Sequence, residues 1–195
     1  MAPSRALPKE SVLSKTSPPP PSPGGSAKEG LEIDQREFRQ TMSQFCTGVV
    51  IATGAPGGVP AGFAAQSFVS VSLDPPLIAL SPAKTSSSWP KLRDAGAFCI
   101  NVLGADQEAL CTGFAKPGGD KFADLTWRAG NNGAPRLEGM IAYVECQLQQ
   151  EVDAGDHTIA IARVTDIERA DTARAPLLFF RGGYGEFLPF TESPS

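Results

Sequence analysis

The sequence predicts a mainly β fold, an antiparallel barrel with a few short helices at its flanks. Three observations predict it. Short apolar runs recur at 49–53, 69–73, 77–82 and 97–103, each bounded by Gly, Pro, Ser or Asp. Two longer strand-like stretches, 140–153 and 157–170, face each other across Ala154-Gly155-Asp156. Helical periodicity is confined to brief segments that do not alternate with the strands as β/α units would, so a parallel sheet is disfavoured.

Element by element, residues 1–30 come first and differ in kind. They hold seven of the 18 prolines, including Pro18-Pro19-Pro20-Pro21, followed by Gly24-Gly25-Ser26. Such a segment buries too little apolar surface to offset its ordering entropy, and it reads as a disordered arm with local polyproline II character. The folded domain is expected over 31–190. Asp34 with Glu37 three residues on resembles a capping box, and Phe38, Met42 and Phe45 then recur at helical spacing. VVIAT (49–53) reads as a buried strand, and Gly54 to Pro60 as a turn. In 60–76 the second half alternates, placing Val69, Val71 and Leu73 on one face, the face expected in the core. LIALSP (77–82) is another strand. A loop from Lys84 feeds a short helix with Trp89 and Leu92 on one side, ending near Gly96. AFCINVL (97–103) is a strand and ADQEALCTGFA (105–115) a helix. Residues up to about Glu138 read as loop. PLLFFRGGYGEF (176–187) reads as a strand ending in a glycine-rich turn.

At 195 residues the chain accommodates one ordinary domain. Its 17 basic and 21 acidic side chains are interspersed, with net charge −4 and no basic block, which argues against nucleic acid as a partner. No apolar run approaches the roughly 20 residues that span a bilayer. The first residues lack an apolar h-region, so no secretory signal is expected and a cytoplasmic location is. Cys46, Cys99, Cys111 and Cys146 are widely spaced, and His157 is the only histidine. A Cys/His metal site is therefore not expected, and the cysteines read as reduced, mostly buried thiols.

No conventional catalytic constellation stands out, so an enzyme of this sequence would leave the reaction to a cofactor. Three features suit a planar, phosphorylated one. The small residues Ala61, Gly62, Ala64 and Ala65, broken by Phe63, would let a flat ring approach the main chain, and Gln66-Ser67 add polar partners for its edge. Thr85-Ser86-Ser87-Ser88 precedes a helix N-terminus and suits a phosphate, with Lys84 adding charge. Taken alone, the same run suits an ordinary helix cap better, because such caps are common. Gly155-Asp156-His157 reads either as a plain hairpin turn or as an imidazole at a pocket mouth.

In chain order, FCTGVVIAT, GFAAQSFVSVSLDPPLIAL, CINVL with Gln107 downstream, DKFA, GDH and PLLFF…GGY are individually weak motifs but specific as a set. Through them the chain resembles the flavin reductase-like, FMN-binding split-barrel family. The resemblance is to the small reductase component of two-component flavin-dependent monooxygenases, and it covers about residues 34–187. It implies a six-stranded antiparallel Greek-key split barrel that pairs as a homodimer with flavin near the interface. It implies an NAD(P)H:flavin oxidoreductase that reduces FMN or FAD, with NADH or NADPH as donor, for a partner monooxygenase. By position, Pro60, Ala61, Gly62, Phe63, Ala64, Gln66 and Ser67 match the segment lining the flavin. Ser81, Pro82 and Ala83, with Ser87 and Ser88, match the strand end and loop that hold its ribityl phosphate. His157 matches the residue beside the nicotinamide, and Phe114 and Tyr184 are further pocket positions. No metal is implied. Many members carry Thr and Asn where this chain has Ala64 and Gln66, and an Arg where it has Gly113; Lys116 or Lys121 could supply the missing charge. Two other readings stay open. One is a split-barrel oxidase that retains its flavin, as pyridoxamine-phosphate oxidases do, and the other is a non-catalytic flavin- or haem-binding module.

Overall fold

The structure is a computed structural model that describes residues 33–190, so the proline-rich arm expected at 1–30 lies outside the described residues. Helix α1 (Gln35–Met42) leads into strands β1 (Thr47–Gly48) and β2 (Val50–Gly54), then β3 (Ala61–Ala65), β4 (Val69–Leu73) and β5 (Pro76–Leu80). Helix α2 (Trp89–Ala95) precedes β6 (Ala97–Val102), and a 3-10 turn at Ala105–Gln107 runs into α3 (Glu108–Ala115). Two short strands, β7 (Trp127–Ala129) and β8 (Pro135–Leu137), precede the long pair β9 (Ala142–Ala154) and β10 (His157–Arg169). The hairpin β11 (Leu177–Phe180) and β12 (Gly183–Glu186) completes the described chain.

The mainly β, antiparallel class is as expected. The strands number more than six and fall into three sheets. The main sheet runs β3-β2-β6-β9-β10-β5-β4, a second runs β1-β11-β12, and β7-β8 form a ribbon. Two parts of the chain are more ordered into strands than the residues suggested. The stretch to Glu138 contains β7 and β8, which are too short for a periodic pattern to register. Residues 176–187 form two strands rather than one, because Arg181 and Gly182 both take positive φ, 49° and 83°. That places Phe180 opposite Gly183 across a two-residue turn. The β9–β10 connection uses the other favoured form, with Gly155 at φ 69° opening a two-residue turn that pairs Ala154 with His157.

The continuous apolar run of β2 follows from burial on both faces. Ile51 belongs to one core cluster with Cys99, Leu103, Phe114 and Leu137. Val50 and Ala52 belong to the other, with Leu80, Trp89, Leu92 and Phe98. Cys99, Cys111 and Cys146 are buried and Cys46 is exposed. Burial, with the Glu145 carboxylate adding to it, pushes the Cys99 thiol up to about 12 and raises that of Cys146, so both stay protonated and inert.

One expectation is corrected. Val69, Val71 and Leu73 do not enter the core; they are 54%, 53% and 91% exposed. The reason is position, since β4 is an edge strand of the main sheet and pairs only with β5. The α1 residues Phe38 and Met42, and Phe45 just after, are likewise more than half exposed.

A buried polar network anchors the ribbon to the sheet. Glu145 on β9 accepts from Arg136 Nε at 2.6 Å and from the backbone N–H groups of Asn131 and Asn132 at 2.9 and 2.8 Å. Arg136 also pairs with Asp166 and Glu168 of β10 at 2.5 Å each. Asn101 on β6 donates to Thr53 Oγ1 at 2.9 Å and accepts from the Leu137 N–H at 2.8 Å. The side chains here stand on strands and the two amides on the turn between β7 and β8, so the buried ion pair has fixed partners, the condition for it to be tolerated. Glu145→Ala, which removes the buried partner of Arg136 and leaves two amides unpaired, is expected to cost about 3 kcal/mol or more. An Arg136→Met/Glu145→Leu double variant should lie closer to the parent. Urea denaturation followed by circular dichroism measures both, and a single variant as stable as the parent would dismiss the role of the pair.

Candidate active site

The site is built around a bare stretch of backbone. β3 lies against β2 with Phe63 opposite Ala52 and Gly62 opposite Thr53. A Cβ on Gly62 would stand 2.8 Å from the Ala52 carbonyl oxygen and 2.9 Å from Cε1 of Phe114, so only glycine lets strand and helix close together here. Phe114 is 1% exposed and packs edge-on against Phe122. It therefore supports the wall from behind, and its ring belongs to the core.

Along this wall lies a cleft of about 380 Å³, lined by Phe63–Ser67, Ser81–Ala83, Ser86, Cys111, His157 and Tyr184 among others. Its apolar side comes from Phe63, the alanines and the proline, and its polar groups stand at the rim. Phe63 is held edge-on by Trp89 at 6.2 Å. Ser67 Oγ accepts the Ser81 N–H at 2.8 Å, which ties the end of the wall to the end of β5. Gln66 is exposed, and its side chain lies 3.4 Å from Thr47 Oγ1. Tyr184 Oη lies 3.3 Å from Cys111 Sγ, and its ring packs against Phe179 at 5.1 Å. The bond to Cys111, reinforced by burial, raises the Tyr184 phenol, which therefore stays protonated.

His157 reaches this cleft because β10 begins beside the end of β5. Ala83 bridges His157, the Thr158 N–H donates to Pro82 O at 3.1 Å, and the Lys84 N–H donates to Asp156 O at 2.9 Å. Asp156 Oδ1 lies 2.7 Å from His157 Nδ1, an interaction that lowers the carboxyl below its usual range. With Nδ1 so engaged, Nε2 is the ring nitrogen left for a ligand.

A second, smaller cleft of about 110 Å³ lies at the other end of the same wall, between Pro60–Gly62, Ser87, Ser88, Lys91 and Gly118–Phe122. Ser88 is the N-cap residue of α2 but its side chain makes no capping bond; Ser86 Oγ accepts the Trp89 N–H at 3.1 Å instead. Lys121 Nζ donates to the carbonyls of Phe114 at 2.8 Å and Gly62 at 3.4 Å. No carboxylate among the described residues lies within ion-pair distance of it, and desolvation lowers its pKa. A partly buried ammonium bonded to carbonyls beside two serine hydroxyls suits an anion.

The expected site residues therefore divide by position. Phe63, Ala64, Gln66, Ser67, Ser81, Pro82, Ala83, His157 and Tyr184 share the larger cleft. Pro60, Ala61, Gly62, Ser87 and Ser88 share the smaller one, and Phe114 backs both. The residue reading missed Lys91 and Cys111, and it placed Ser86 in the phosphate run whereas Ser86 lines the larger cleft. Cys111 was legible, since it stands four residues before Ala115 and both reach the larger cleft from one face of α3. A more voluminous cleft, about 640 Å³, is lined by Asp106, Glu108 and Glu186 with Arg174. Arg174 is already paired with Asp106. Its acidity makes it a poor place for phosphates.

The family model described as the flavin reductase like domain matches residues 42–188. The chain is 42% identical over 172 residues to the reductase subunit of a flavin-dependent monooxygenase from Rhodococcus jostii, covering 88% of each chain. It is similar to the crystal structure of a homologue of nitrilotriacetate monooxygenase component B from Mycobacterium thermoresistibile. That match has a TM-score of 0.78 and 39% identity, over 83% of this chain and 90% of the other. A Streptomyces globisporus NADH:FAD oxidoreductase, solved with NAD and FAD fragments, matches with a TM-score of 0.75 and 34% identity. It covers 80% of this chain and 94% of its own.

Proposed function

The chain belongs to the flavin reductase-like family, and on that premise we propose how its two clefts divide the work of reducing a flavin. It is an NAD(P)H-dependent flavin reductase that reduces FMN or FAD and serves a flavin-dependent monooxygenase. The observation that carries the site assignment is the pairing of a small-residue wall with a cationic hydroxyl cleft at its end.

These residues fit a flavin. The wall from Phe63 to Ala65 would take the flat ring system, with Gln66 and Ser67 at its polar edge, and Tyr184 and Pro82 closing the cleft. Ser87, Ser88 and Lys121 would take the phosphate, with Lys91 adding charge. When bound, the flavin supplies the hydride acceptor and the reduced nicotinamide the donor. The protein's contribution is positioning, because hydride transfer needs two rings held at near-contact distance. His157, oriented by Asp156, would direct its free nitrogen to the nicotinamide amide. No covalent anchor is built into the wall, and polar contacts alone allow a reduced flavin to leave for an oxygenase.

We also propose that the protein works as a homodimer in the cytoplasm. The apolar edge strand β4 and the exposed Phe38, Met42 and Phe45 offer surface that a second copy would cover. No helix among the described residues is long and apolar enough to cross a membrane. On this reading 31–190 is the catalytic domain and 1–30 an appended arm. Sedimentation velocity tests the dimer, and a single-chain mass at micromolar concentration would reject it.

NADH oxidation assayed with and without added FMN or FAD tests the function. Turnover should depend on free flavin, whereas tightly held flavin with no NADH turnover would point to the retained-flavin or binding-module alternatives. His157→Ala is expected to lower kcat/KM for NADH about tenfold or more, with a smaller change in flavin affinity; unaltered kinetics would remove His157 from the mechanism. Ser87→Ala/Ser88→Ala is expected to weaken flavin binding about tenfold or more, since one hydrogen bond to a charged group is worth about that much. Equal affinity would refute the phosphate assignment.

A further inference from the structure

A third cleft, of about 460 Å³, opens between helix α3 and the segment that follows it, and nothing in the reaction described above uses it. It is continuous with the phosphate cleft, because Gly118, Gly119, Asp120 and Lys121 line both. A ligand with its phosphate at Ser87, Ser88 and Lys121 can therefore continue past Lys121 into this cleft. We infer that this cleft is the subsite for the adenosine half of FAD, and that the protein prefers FAD to FMN. The inference rests on the flavin reading of the other two clefts.

The chemistry of the lining fits that occupant. Leu110 and Leu125, both half-buried, give an apolar surface for the faces of a purine. Lys116 is a cation for a second phosphate, with Lys121 standing where the two clefts meet. Asp124, an exposed carboxylate in the same lining, is an acceptor for ribose hydroxyls or an exocyclic amine. FMN ends at its single phosphate and would leave all of this unused. A cleft of this volume lies within the roughly 300–1,000 Å³ typical of small-molecule sites.

Gly113 supplies an independent observation. It stands inside α3, where glycine is unfavourable, yet its backbone has no positive φ to require glycine. A Cβ built on it meets no atom within 4 Å, so no packing demands glycine either. What the missing side chain does is keep the cleft open, since Gly113 forms part of its wall.

The test is equilibrium binding of FAD and FMN, read by flavin fluorescence and by calorimetry, on the parent protein and two variants. The parent should bind FAD about tenfold or more tightly than FMN. Gly113→Leu, which fills the cleft with a good helix former, should reduce that ratio about tenfold, while Gly113→Ala should retain it. Thermal melting of both variants at or above the parent temperature would show that the helix is intact. Equal affinities in the parent, or an unchanged ratio in Gly113→Leu, would overturn the subsite while leaving the flavin site standing. Failure of the parent to bind either flavin would overturn the flavin reading and the subsite together.

Discussion

The rest of the site depends on the contact between Gly62 and Phe114. A strand and a helix can approach this closely only if one of them presents no side chain. Here the strand gives way, with the Ala52 carbonyl beneath and the Phe114 ring above the space a Cβ would need. The helix residues on either side of that ring then acquire distinct tasks. Cys111 and Ala115 face the larger cleft, while Leu110 and Gly113 face the cleft between α3 and the segment after it. Lys121 fastens the same junction, bonding the carbonyls of both Phe114 and Gly62. One close approach thus sets a bare wall, a cation beside it and the line along which the clefts adjoin.

That junction is useful only on a rigid sheet, and rigidity is assured by means other than apolar packing alone. The sheet is buried on two faces, so its central strands carry continuous apolar runs. Into one face is set the polar system of Arg136, Glu145, Asn101 and Thr53, among which every buried group has a partner. Partnered groups of this kind are directional, so they fix where β7 and β8 rest on the sheet. The contrast with the periphery is sharp. The edge strand β4, α1 and the long outer half of the β9–β10 hairpin expose apolar side chains such as Leu73, Phe38 and Val152.

Local sequence made a good deal of this legible. The strands at 49–53, 77–82 and 97–103 announced themselves by apolar runs between turn residues. The long hairpin was marked by Gly155-Asp156, and α2 by its Ser run and the Trp89-Leu92 spacing. The small-residue run at 61–65 was recognisable as a wall because a strand that only packs a core has no reason to be so bare. Alternation at 69–73 misled for a definable reason. Period two says that one face differs from the other, but it cannot say what lies against the apolar face, and for an edge strand that depends on the neighbour it lacks.

What the sequence determined by itself, then, is the class of fold, the strands at 49–53, 77–82 and 97–103, the long hairpin and the bare stretch at 61–65. These rest on short-range physics, namely side-chain periodicity, turn geometry and the space a glycine leaves. Only the tertiary structure decided that the residues matched by resemblance divide between two clefts, that Phe114 lies behind the wall, and that Ser86, not Ser88, gives a side-chain oxygen to the first N–H of α2. It alone decided that Lys121, 59 positions from Gly62, bonds that residue's carbonyl. Contacts of that separation follow from how sheet and helix close on each other, and no local pattern encodes the distance between them.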